Sequence, residues 1–222
     1  MGNRNPWRIS FDSQTGALYW GEIGPDAGQD SAGIGPRGYD EFNVAASPGY
    51  YGWPYFIGYN LPYHSYDYES EAYGPPFDPQ NPQNISPNNS GLVDLPPARP
   101  AVLAYPYAVS EEYPQLNSGG RAAVGGPVYR RADFTDAQRP FPDYYEGGWF
   151  VVDFVRSWIM VLRIDDDAGG AGNVDRLDVL TGLTQDLRAA HVAVLVGDLE
   201  QLVLDDLVAA RLVGEDVLQV LD

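Results

Sequence analysis

The chain has 222 residues, with 13 Lys+Arg against 31 Asp+Glu and a formal charge of −18, and all of its basic residues apart from two His are Arg. That field repels nucleic-acid phosphates and anionic lipid surfaces, which excludes nucleic acid as a partner. Cysteine is absent, which removes disulfides, thiol nucleophiles, thiolate zinc sites and Cys-linked haem.

The length suits one domain of ordinary size or part of a larger architecture. Gly 25, Pro 19 and Tyr 16 favour short strands joined by punctuated turns. No apolar run is long enough to span a membrane, and no charged-then-apolar leader follows Met1.

In chain order, "WRISFD" and "ALYWGEIG" alternate apolar and polar residues around "SQTG", as a hairpin with a Gly-terminated loop does. "DEFNVA" predicts a third strand. Residues 55–100 are dense in Pro, Asn and Tyr, and read as a long ordered loop excursion held by stacked Tyr rings. Strand character returns in "PAVLAYPYA" and "RAAVGGPVYRR", then in two strands at 149–153 and 158–164. "DDDAGGAGNVDRLDVL" supplies an acidic Gly-rich turn, without the ligand spacing of a calcium hand, and one more strand. Four short antiparallel strands in succession suit a propeller blade or a sandwich sheet equally well. From about residue 185 the aromatics and Pro vanish, and Leu, Val and Ala recur at three- and four-residue spacing, which predicts a helical or disordered tail over 185–222.

Four motifs stand in fixed order along residues 2–183: Arg-Asn-Pro at 4–6, Gly-Pro at 24–25, Asp-Glu-Phe-Asn at 40–43 and Tyr-Gly-Trp-Pro at 51–54. With "GPPFDP", "LPPARPAVLAYPY" and "GGWFVVDFVRSWIMVLRIDDD" they resemble the glucose/sorbosone dehydrogenase family. The resemblance implies a quinoprotein aldose dehydrogenase: a six-bladed β-propeller that uses pyrroloquinoline quinone and calcium to oxidise an aldose, periplasmic or extracellular in the parent protein. Residues 1–184 would then hold two to three blades of a partial propeller, mainly β, followed by a divergent tail.

By the same resemblance Arg4 and Asn5 meet the cofactor's quinone carbonyls, where a fixed cation stabilises charge arriving with hydride. Arg156 reaches the cofactor's acid groups. Gly24 and Pro25 offer backbone carbonyls to a calcium, and Glu41 and Tyr51 serve a second, structural one. The residues themselves allow plainer readings. Arg4 would brace the hairpin, Asn5 before Pro6 would form a turn, Arg156 would be a solvated strand-end cation, and Glu41 or Tyr51 would cap a strand end.

In the family a His acts as general base on the sugar's anomeric hydroxyl while hydride passes to the quinone. That His belongs upstream of the Arg-Asn pair, and here only His64 and His191 occur, neither in a matching position. The expectation is a piece of a sugar dehydrogenase without activity alone and without a catalytic residue of its own. The alternative is a non-catalytic binding module whose Tyr-rich loop at 55–75 contacts carbohydrate or protein.

Overall fold

The computed structural model describes residues 1–137, 140–164 and 174–179. They are mainly β and form several antiparallel sheets. The strands in chain order are β1 (Pro6–Phe11), β2 (Leu18–Glu22), β3 (Asp40–Ala45), β4 (Phe56–Ile57), β5 (Leu61–Pro62), β6 (His64–Asp67), β7 (Ala72–Pro76), β8 (Leu103–Tyr105), β9 (Ala123–Val128), β10 (Trp149–Asp153), β11 (Trp158–Ile164) and β12 (Val174–Val179). The first sheet runs β1-β2-β3-β8 and the second β12-β11-β10-β9, each four-stranded.

The predicted first hairpin forms, with Phe11 opposite Leu18 and Pro6 opposite Glu22. Its turn is held by Asp12, whose carboxylate accepts from the Gln14 N–H at 3.1 Å and the Thr15 hydroxyl at 2.6 Å. An Asp side chain that satisfies the backbone two residues on is the ordinary chemistry of such turns. Alternation then divides the sheet. Tyr19, Phe42, Val44, Leu103 and Tyr105 belong to the main core, while Ile9, Leu18, Trp20 and Ala45 line a groove on the opposite face.

The second sheet lays Trp149, Val151, Trp158, Met160 and Leu162 against that core. Trp149 meets Phe42 edge-on at 5.6 Å and Tyr19 at 5.0 Å, which joins the two sheets through aromatic contacts. The sheets approach most closely where β9 crosses β2. A β-carbon on Gly21 would lie 2.7 Å from the Ala123 carbonyl oxygen, and one on Gly125 would lie 2.7 Å from the Gly21 nitrogen. Only glycine permits that backbone approach.

The excursion between β3 and β8 is more regular than its Pro and Asn content suggests. Instead of one continuous loop it contains two small hairpins, β4-β5 and β6-β7. The second is clasped by Tyr66 directly opposite Tyr73, with rings 4.8 Å apart. Cross-strand aromatic pairs stabilise such ribbons. A satellite core of Tyr50, Phe56 and Ala98, with Tyr55 stacked on Phe77 at 4.1 Å, anchors the excursion. The predicted acidic Gly-rich turn and the tail at 185–222 lie outside the described residues.

Candidate functional site

On the outer face of the first sheet two carboxylates stand directly opposite one another, Glu22 on β2 and Glu41 on β3, both buried. Glu22 accepts the backbone N–H groups of Arg4 and Asn5 and the Trp20 indole N–H at 3.2 Å. Glu41 accepts the Gly58 N–H and the Asn43 amide at 3.1 Å. Burial, aided by the neighbouring carboxylate of Glu22, pushes the Glu41 carboxyl up to about 8, and burial raises Glu22 as well. Asn43 is buried and its Oδ1 has no hydrogen-bond partner. The three side chains therefore form a buried, oxygen-rich cluster with a spare acceptor.

Arg4 is exposed beside this cluster, which its backbone N–H meets at Glu22. Its Nη1 donates to the Ile23 carbonyl at 2.8 Å and its guanidinium lies 5.6 Å from the Trp53 ring centroid. No described contact engages its Nε or second Nη. Asn5 holds the Glu22 carboxylate through its backbone, and its carbonyl accepts from Ile23.

Gly24 and Pro25 sit at a second buried site. The Gly24 N–H donates to Asp40 at 3.1 Å, and the Pro25 carbonyl accepts from Arg121 at 2.8 Å. Arg121 lies 3.4 Å from Asp40 and 4.0 Å from the Tyr107 ring centroid. Asp40 also accepts the Ala123 N–H at 2.9 Å, across the junction of the two sheets. Burial pushes its carboxyl up to about 6 despite the Arg121 charge.

Asp153 makes the reciprocal connection, accepting the Tyr105 hydroxyl at 2.7 Å from the first sheet. Arg156 is fixed beside it. Its Nε donates to Gly120, one Nη to Leu116 and Asn117, and the other to Pro106 and Gly119. The guanidinium also lies 4.9 Å from the Tyr105 ring centroid. All five of its N–H groups are engaged by backbone carbonyls, so here Arg156 clamps the 106–120 segment. Neither a solvated strand end nor a donor free for a ligand describes it.

Tyr51 is buried beside Trp20, and its hydroxyl donates to the Val44 carbonyl at 3.1 Å. It lines the outer groove, about 410 Å³, with Met1, Ile9, Leu18, Trp20 and Pro48. Arg4, Asn5, Gly24, Pro25 and Arg156 do not line that groove. No described hydrogen bond, ion pair or ring contact joins Arg156 to Arg4. His64 has its Nδ1 at 2.8 Å from the Gly74 carbonyl within the β6-β7 hairpin, and His191 lies outside the described residues.

Sequence reasoning missed Glu22, Asn43, Asp40, Arg121 and Asp153. Glu22 had a signal, since it ends β2 among alternating apolar residues, but its pairing with Glu41, the second residue of β3, depends on the β2-β3 register. Arg121 and Asp153 had none, because their partners are 81 and 48 positions away.

Among the described residues no group of three or more His, Cys, Asp or Glu is placed to hold a metal ion, and no helix is long and apolar enough to cross a membrane. No protein-family model and no curated protein matches the chain. Among solved structures it is similar to a candidate oxidoreductase (glucose dehydrogenase) from Thermus thermophilus, at 18% identity and a TM-score of 0.41. The match covers 81% of this chain and 34% of that one, so the chain spans about a third of that protein's length.

Proposed function

We propose that the chain is part of a pyrroloquinoline quinone-dependent sugar dehydrogenase, contributing two adjacent blades of a β-propeller, and that it does not oxidise aldoses alone. The observation that carries this reading is the pair of four-stranded antiparallel sheets packed face to face at Gly21 and Gly125, with the four ordered motifs at the start of β1, in the β2-β3 loop, on β3 and at the start of the excursion. The outer face of the first sheet supports it too. Ile9 and Leu18 remain 62% and 43% exposed there, as a sheet face does when built to receive another sheet.

The residues divide in how they suit the two groups. Arg4 suits an anionic quinone, because its Nε and second Nη have no described partner while Nη1 and Trp53 hold it in place. Arg156 does not, since all its donors are engaged. Pro25 does not suit calcium, because its carbonyl already faces the Arg121 cation. Glu22, Glu41 and Asn43 do suit it: a divalent ion would offset the repulsion of the two buried carboxylates and take up the spare Asn43 Oδ1. When bound, the quinone would accept the hydride. In this chain Arg4 would orient its carbonyl edge, and Glu41 would hold or release a proton as calcium leaves or binds.

The test is dye reduction with several aldoses, supplying quinone and calcium in excess, alongside the His64→Ala variant. No turnover above the protein-free control is expected, because a positioned base is worth about a hundred- to ten-thousand-fold in rate. Robust turnover abolished by His64→Ala would make His64 the base. Turnover insensitive to it would refute the partial-enzyme reading.

A further inference from the structure

The β6-β7 hairpin carries exposed aromatic and acidic side chains. Tyr66 and Tyr73 clasp its two strands, which accounts for their packing. Tyr68 is 86% exposed and rests edge-on against Tyr66 at 5.0 Å, so it adds aromatic surface that the hairpin does not need for its own closure.

The charges at the tip are of one sign. Asp67 is engaged in the turn, accepting the Glu69 and Ser70 N–H groups, and these bonds hold its carboxyl below the usual range. Glu69 and Glu71 are exposed and no described contact engages their carboxylates. The excursion's one Lys or Arg, Arg99, donates to Ser47 and Pro48 and is not at this tip.

Aromatic faces rimmed by carboxylates select a cation, which the ring quadrupole and the charge attract together. We infer that this hairpin tip docks a polypeptide segment presenting Arg side chains to Tyr66, Tyr68 and Tyr73 and to the Glu69 and Glu71 carboxylates. Arg fits better than Lys because its planar, weakly hydrated guanidinium stacks on a ring while its N–H groups reach a carboxylate.

The experiment titrates the full chain with a short capped peptide carrying a pair of Arg residues, at moderate salt, following the Tyr ring signals by NMR. Tyr68→Ser should weaken binding about threefold, the size expected of one exposed cation–aromatic contact. Glu69→Gln with Glu71→Gln should weaken it at least as much, whereas Glu111→Gln with Glu112→Gln, of equal charge change, should leave it unchanged. Equal weakening by the two charge pairs would reduce the binding to general attraction by an acidic protein and overturn the proposal. So would insensitivity to Tyr68→Ser, or saturable binding of a malto-oligosaccharide at these rings without peptide binding.

Discussion

Glu41 and Asp40 are adjacent carboxylates with folded pKa values above their unfolded ones, at about 8 and about 6. A group of this kind contributes stability that is present below its unfolded pKa and is lost as pH rises through its folded pKa. The chain should therefore be more stable to urea at pH 5.5 than at pH 8.5. A tenfold difference in proton affinity between the folded and unfolded states corresponds to about 1.4 kcal/mol, and Glu41→Gln should flatten the upper part of that dependence. An unchanged profile in this variant would remove Glu41 as its source. Asp12 works in the opposite sense. Its fork with Arg130, at 2.8 and 2.7 Å, holds its carboxyl low, so the stability it contributes is lost in acid below the ordinary Asp range. Arg130→Ala leaves Asp12 buried without its counter-ion and should cost about 3 kcal/mol of unfolding free energy. Chemical denaturation measures it, and a cost near zero would mean that the site takes in water.

The sheets depend on close packing at the scale of whole strands. Gly21→Ala would force β2 and β9 apart, since the added carbon meets main chain rather than a side chain that could rotate away. A loss of about 2–3 kcal/mol is expected, of the order seen for overpacking, together with weaker near-ultraviolet dichroism from Trp149. A stable variant with unchanged dichroism would show that the two sheets are not locked at this crossing. Legibility in the sequence follows the same physics. The strands at 149–153 and 158–164 were readable to the residue because each is dominated by large apolar residues, with Asp153 and the Arg156-Ser157 pair marking the break between them. The β6-β7 hairpin was not, because its signal is a cross-strand Tyr pair separated by an acidic turn and followed by Pro. Arg4 and Glu41 were legible as site candidates from motif order. The clamp formed by Arg156 was not, because its carbonyl partners lie 36 to 50 positions away in a segment without periodicity.

At the scale of the molecule, two packed sheets leave one apolar face open and bring Arg4, exposed and only partly engaged, beside a buried acid pair. Calcium occupying that pair should raise the thermal midpoint of the wild-type chain and leave Glu41→Gln unmoved; an equal rise in both would place the ion elsewhere. The quinone tests the account most directly. Titration of the calcium-loaded chain with pyrroloquinoline quinone, read as quenching of Trp fluorescence through Trp53 beside Arg4, should saturate. Arg4→Met should weaken binding about tenfold, in keeping with the loss of a charge-assisted hydrogen bond. Absence of saturable quenching in the folded wild-type chain, or equal affinity in Arg4→Met, would contradict it.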